Sequence, residues 1–162
     1  MESSTLSGEV FPGTPTFTFV KSTYTSKYLV FKSIEQFTNV YDPAVSFYTK
    51  LQTPTGVEAA NFQKYDTSKY INMSASNDGA IPFISMGNKF LVSGASYNPG
   101  LLTGLTRTQI ASNLSATSSP ITKAIITSAN EKTAAICTLT KQQPASVCTS
   151  PGVTAAKTLM KI

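Results

Sequence analysis

Ile81-Pro82-Phe83-Ile84-Ser85-Met86-Gly87-Asn88-Lys89-Phe90-Leu91-Val92 is the stretch on which the fold turns. It divides into two short apolar runs around Gly87-Asn88, a pattern that predicts a β-hairpin closed by a two-residue turn. Glycine in the first turn position favours type II′, whose first central residue needs positive φ. Pro82 opens the first strand, where its missing N–H costs least. By itself an X-Pro bond at strand entry reads as trans, the ordinary state of such bonds.

Upstream of the hairpin, Thr16 and Thr18 alternate with Phe17 and Phe19, as a half-buried strand would over residues 15–20. Residues 27–34 are a second β-rich run, and Tyr24-Thr25-Ser26 would turn the first into the second. Asp42-Pro43 reads as the N-cap and first position of a helix carrying Val45, Tyr48 and Leu51 on one face and ending at Pro54. Thr55-Gly56-Val57-Glu58 has the spacing of a capping box and opens a further helix, with Val57, Ala60 and Tyr65 inward. Asn77-Asp78-Gly79 is turn chemistry ahead of the Pro82 strand.

Downstream, Thr106-Arg107-Thr108-Gln109 is a second capping box, followed by Ile110 and Leu114 as inward residues. Ser119-Pro120 begins the longest helix, spanning residues 120–140, with a stripe of Ile121, Ala124, Ile125, Ser128, Ala135, Ile136 and Leu139. Glu131 and Lys132 fall off that stripe. Residues 151–162 have weak apolar periodicity and read as a frayed tail.

A chain of 162 residues is long enough for one domain with a core of its own. Charged residues make up 13% of it, well below the usual quarter, and Ser and Thr supply the polarity instead. Such a surface suits an extracellular or cell-surface protein. The sequons at Asn72 and Asn113 point the same way, as candidate glycosylation sites. The net charge is +5, but the lysines are scattered and Arg107 is the single arginine, so no nucleic-acid partner is expected. No apolar run reaches the roughly 18–20 residues that span a bilayer, and no basic-then-apolar export signal opens the chain.

The chain has no histidine, which excludes Ser-His-Asp and Cys-His catalysis and His-based zinc sites. Its eight carboxylates are dispersed, with no pair spaced for general acid–base work, so no metal and no cofactor are expected. Cys137 and Cys148 are the only thiols. They read as a structural disulfide, against the alternatives of two buried free thiols or a redox pair. A loop that short is worth about 3 kcal/mol in the chain-entropy account. Reactive dithiols favour a helix N-terminus, whereas Cys137 lies near the end of its predicted helix.

Several words of the sequence carry a resemblance. Phe11-Pro12-Gly13-Thr14-Pro15-Thr16-Phe17-Thr18-Phe19, Tyr24-Thr25-Ser26-Lys27-Tyr28, Gly94-Ala95-Ser96-Tyr97-Asn98-Pro99, Gly104-Leu105-Thr106, Gln109-Ile110-Ala111 and Pro144-Ala145-Ser146-Val147-Cys148 join the Pro82 hairpin in collinear order. Together they resemble an uncharacterised archaeal family of thioredoxin-like proteins, domain of unknown function 929, over nearly the whole chain. The resemblance implies an α/β thioredoxin-like fold over residues 1–150, truncated or rearranged, with a small mixed sheet and flanking helices. It implies a cis Ile81–Pro82 bond facing the place a catalytic dithiol occupies in such folds, with Phe83, Tyr97 and Tyr70 lining the same groove. Family members carry an N-terminal membrane or signal segment, a strand, a Cys-Pro-x-Cys-like motif and a helix. This chain has no Cys-x-x-Cys, and Met1-Glu2-Ser3-Ser4 resembles an internal stretch of the family, so a truncated relative is expected.

Without the strand that precedes the dithiol, the Pro82 strand is expected to present an open edge. Residues 4–11 folding back, a second copy of the chain, or a separate N-terminal piece would fill it. The expected function is a redox-inactive binding or structural module, extracellular or cell-surface, not an enzyme as this chain stands. It would engage a protein or extended peptide, or a second copy, through Ile81, Pro82, Phe83 and Tyr97. The alternative is the C-terminal part of a thiol–disulfide oxidoreductase whose dithiol lies on a missing upstream segment.

Overall fold

The computed structural model describes residues 4–6, 13–66 and 81–162. Among them the protein is mixed α/β, with five α-helices and three two-stranded antiparallel sheets. The chain divides into two compact units, each discontinuous in sequence. The first comprises Met1–Pro54 and Asn98–Lys123, and the second Thr55–Tyr97 and Ala124–Ile162. Every described strand pairing is antiparallel, so the expected small mixed sheet does not form among the described residues.

In the first unit, β1 (Ser4–Leu6) pairs with β2 (Pro15–Phe17), and β3 (Phe37–Asp42) pairs with β4 (Phe47–Lys50). Both pairings correct the sequence reading. The start of the chain meets β2 rather than the Pro82 strand, and residues 27–34 form no strand. The backbone that a ladder would have used is taken by side chains. The Phe19 N–H and the Thr18 hydroxyl both donate to one oxygen of Glu35, at 2.7 and 2.8 Å, and the Ser33 hydroxyl donates to the Phe19 carbonyl at 3.1 Å. Val30, 96% exposed, has no core to enter.

The helix expected from Asp42-Pro43 is instead the turn of a hairpin. Asp42 Oδ1 accepts the Ala44 N–H at 2.9 Å, an Asx-type bond that mimics a backbone turn, and Ser46 takes φ 52°. Phe37 and Phe47 then stack edge to face at 5.2 Å, and Tyr41 and Tyr48 at 5.9 Å. Cross-strand aromatic pairs of this kind add to the stability of a two-stranded sheet. The short helix α2 (Arg107–Asn113) follows the reading closely. Thr106 Oγ1 accepts the Gln109 N–H at 3.2 Å, and Gln109 Oε1 accepts the Thr106 N–H at 2.7 Å, which completes the capping box. Ile110 is half-buried, but Leu114 is exposed, contrary to expectation.

In the second unit, α1 (Gly56–Tyr65) begins where predicted, but the Thr55 side chain makes no cap bond. Gly56 sits at φ 55°, outside helical geometry, which turns Thr55 away from the first N–H groups. Val57 is 67% exposed and Ala60 is exposed as well. The face that packs is offset, carrying Phe62, Tyr65 and Asp66. Longest of the helices, α3 (Pro120–Leu139) starts after Ser119-Pro120 as read, and each residue of its predicted stripe is buried or half-buried. Lys132 is half-buried too, so it is not an off-face residue.

The core of this unit surrounds Cys137 and Cys148, which form a disulfide with S–S 1.99 Å. Around them lie Ala134, Val153 and Ala156, with Met160 packed against the cluster. α3 ends in a Schellman-type turn. The Gln142 N–H donates back to the Cys137 carbonyl at 2.7 Å, and Lys141 takes φ 53°. The chain then passes through Gln143–Pro144, a cis bond, into α4 (Ala145–Cys148) and α5 (Pro151–Met160). Residues 151–162, expected to fray, are therefore mostly helical, with Val153 and Ala156 buried. Pro151 supplies the fixed φ of a first helical position. Lys157 Nζ donates to the Cys148 carbonyl at 2.7 Å and also to Gln142 Oε1, which ties α5 to the turn that closes the disulfide loop.

Candidate functional site

The Pro82 hairpin consists of β5 (Phe83–Met86) and β6 (Phe90–Ser93). Its turn is centred on Gly87-Asn88 as read, but Gly87 takes φ 56° and Asn88 φ 54°. Positive φ at both central residues is the type I′ pattern, not type II′. Asn88 tolerates that conformation better than most residues. The Lys89 N–H donates to the Met86 carbonyl at 3.1 Å across the turn.

At the other end, the Ile81–Pro82 bond is cis. The Gly94 N–H donates to the Pro82 carbonyl at 3.0 Å, which extends the ladder one step past its paired residues. Antiparallel pairs alternate between hydrogen-bonded and non-bonded. Since Pro82 and Gly94 share a bond, Ile84↔Val92 and Met86↔Phe90 are the bonded pairs, while Phe83↔Ser93 and Ser85↔Leu91 are not. The backbone groups of Phe83 and Ser85 therefore point away from β6. Among the described residues no strand pairs with that side of β5.

One face of the hairpin is covered by α1. Phe62 stacks edge to face on Phe83 at 5.7 Å, and Asn61 Nδ2 donates to Asn88 Oδ1 at 2.9 Å. One turn beyond Phe62, the Asp66 carboxylate accepts from the Ser93 hydroxyl. Asp66 is 1% exposed, and its Oδ2 has no hydrogen-bond partner among the described residues. A buried carboxylate oxygen without a donor is costly, and its place at the end of α1 sets it against the negative pole of the helix.

Of the residues singled out from the sequence, Ile81 is 75% exposed and Pro82 is exposed, at the mouth of this edge. Phe83 is half-buried beneath α1. Tyr97 follows Gly94 by three residues, and burial pushes its phenol above the usual value. Tyr70, the Asn72 sequon and the turn at residues 77–79 lie outside the described residues. Asn113 is engaged at both ends of its side chain. Its Nδ2 donates to the Gln109 carbonyl at 2.9 Å, and its Oδ1 accepts from Ser119 Oγ at 3.0 Å.

The sequence reading passed over a second cluster in the same unit. Lys132 Nζ lies 2.7 Å from Ser96 Oγ, 2.6 Å from Ser128 Oγ and 3.4 Å from the Ser128 carbonyl. Ser128 is buried and Ser96 is exposed. The signal for half of it was present, since Ser128 and Lys132 are four residues apart on one helix. The signal for Ser96 was not, because it comes from a turn 36 residues away. Asp66 gave no signal either, being a single acid at a helix end.

Hairpin, covering helix and disulfide-centred helical core define a mixed α/β protein in which, among the described residues, no strand pairs with the outer side of β5. The chain belongs to the family described as a domain of unknown function (DUF929), whose pattern matches residues 1–138. That match takes in the Pro82 hairpin and Cys137 and stops short of Cys148. No curated protein matches the chain, and no solved structure does.

Proposed function

We propose that this chain is a redox-inactive, thioredoxin-like binding module that takes an extended chain along the outer edge of β5, outside the cell or at its surface. The observation that carries this reading is the outward direction of the Phe83 and Ser85 backbone groups beside an exposed Ile81-Pro82. Such an edge binds by strand addition, in which main-chain bonds give affinity and alternate side chains give selectivity. The thioredoxin-like assignment is supported by the order of α1, an X-Pro strand entry, a β-hairpin and a following helical segment. Redox inactivity is supported by the placement of both cysteines, which are bonded to each other inside a core. The same pair favours an oxidising compartment, where structural disulfides persist.

Hydrogen exchange on the full chain tests the edge, with and without a reduced, carboxymethylated protein as an unfolded probe. In the free chain the Phe83 and Ser85 amides exchange quickly, while Ile84 and Met86 are protected. The probe, or self-association at high concentration, is expected to slow Phe83 and Ser85. Unchanged exchange at those two amides in a strictly monomeric sample overturns the proposal. Catalysed insulin reduction would instead favour the alternative, a part of a thiol–disulfide oxidoreductase.

A further inference from the structure

We propose that Ser96, Lys132 and Ser128 form an acyl-transfer site, with Ser96 Oγ as nucleophile, Lys132 Nζ as its base and Ser128 Oγ as the group that positions the base. The three atoms form one short chain, Ser96 Oγ at 2.7 Å from Lys132 Nζ and Lys132 Nζ at 2.6 Å from Ser128 Oγ. This is the pattern of an activated nucleophile, with the base in hydrogen-bond reach of the hydroxyl and held in place by a third group. Serine–lysine pairs do the work of a serine–histidine pair on other folds, so the absence of histidine does not exclude this chemistry.

Each member is placed by a different feature of the chain. Ser96 stands in a turn two residues past Gly94, whose φ of 77° bends the backbone away from β6, and its side chain is open to solvent. Lys132 and Ser128 sit on the same face of α3, one turn apart, where the rigid helix fixes their separation. Ser128 is 6% exposed, so its hydroxyl is not free to turn outward. A lysine serves as a base only when neutral, and burial lowers the Lys132 ammonium below its usual value, while the charge of neighbouring Glu131 pulls it back up. The proton-free form is therefore reached at milder alkalinity than for a fully hydrated lysine.

The substrate class that fits is an ester of a small carboxylic acid. An exposed hydroxyl suits acyl groups that are already reactive, rather than amides, which need a stronger electrophilic clamp. Ser96 Oγ attacks the acyl carbon as its proton passes to neutral Lys132 Nζ. The ester C–O bond breaks, and the alkoxide leaves with the proton returned by the Lys132 ammonium. Water, deprotonated by the same amine, then releases the carboxylic acid and restores Ser96. No oxidant, metal or further reactant enters the balance.

A fluorophosphonate probe on the full chain, followed by peptide mass mapping, and p-nitrophenyl acetate hydrolysis between neutral and alkaline pH test the site together. The expected result is labelling at Ser96 that disappears in Ser96→Ala. Lys132→Arg keeps the positive charge and its donors but cannot act as the base, and is expected to slow acetate hydrolysis by about 100-fold. Ser128→Ala is expected to lower the rate and move its pH profile, without removing the label. Thermal melts of all three variants report folding separately. An unlabelled Ser96 at alkaline pH in the wild-type chain, or a folded Lys132→Arg variant that hydrolyses the ester as fast as wild type, overturns the proposal.

Discussion

Gly87, at the tip of the Pro82 hairpin, lies so close to Leu139 at the end of α3 that a β-carbon added there would stand 3.0 Å from a Leu139 methyl. The turn thus needs glycine twice, once for its positive φ and once for its contact. Gly87→Ala is expected to cost about 1–3 kcal/mol, combining left-handed strain with overpacking. Asn88→Gly also sits at positive φ and lacks that contact, but it gives up the bond from Asn61 Nδ2, so it is expected to cost about 0.5–1 kcal/mol, less than Gly87→Ala. Urea midpoints of the two variants check the contrast, and equal losses would count against it.

The disulfide between Cys137 and Cys148 is enclosed by α3, α4 and α5, with both cysteines buried. Mild reductant on the native protein is therefore expected to leave the thiols unavailable to iodoacetamide, whereas reduction in denaturant exposes both. Replacing both cysteines by serine is expected to cost about 3 kcal/mol from loop entropy. Intact mass after alkylation reads the first expectation, and denaturant titration the second.

Close approach also marks the packing of α5. A β-carbon on Gly152 would lie 2.4 Å from Asn130 Nδ2 and 2.9 Å from its Cγ. Gly152→Ala should gain helix propensity yet lose more to the displaced amide, for a net loss of about 1 kcal/mol. In an Asn130→Ala background the same change is expected to be neutral or stabilising. A double-mutant cycle measures that reversal, and additivity of the two changes would refute the contact.

The phenol of Tyr97 is raised from 10.0 by burial. Its contribution to stability is therefore complete below 10.0 and is lost as pH climbs through the folded value, because the unfolded chain ionises first. Lys132 works in the opposite sense, since its depressed ammonium carries a penalty that fades as pH approaches 10.5. The stability difference between wild type and Tyr97→Phe is expected to be constant below 10.0 and to move toward the phenylalanine variant above it. A difference that stays flat across that range would place Tyr97 in water.

Local rules read this sequence well where chemistry is local. The Thr106–Gln109 box, the Ser119-Pro120 helix start, the stripe of α3 and the turn at Gly87-Asn88 each depend on residues within a few positions of one another. The reading failed where a distant partner decided the outcome. Residues 27–34 have strand composition, but Glu35 and Ser33 take the backbone groups of Phe19. Asp42-Pro43 begins a turn as readily as a helix, and the aromatic pairs Phe37–Phe47 and Tyr41–Tyr48 tip the balance. α5 has modest periodicity of its own and is held by the disulfide core. Ile81, Pro82 and Phe83 were legible as neighbours because they are consecutive. Asp66 and the Lys132 cluster were not, since each is made by segments far apart in sequence.

The interleaving of the two units has a consequence for synthesis on the ribosome. The first unit is left at Pro54 and re-entered at Asn98, so it stays incomplete until Lys123 has cleared the exit tunnel. The second opens at Thr55 and closes only with the helices after Ala124. Neither unit has all its parts when the other begins, so neither can close before residue 123 has been made.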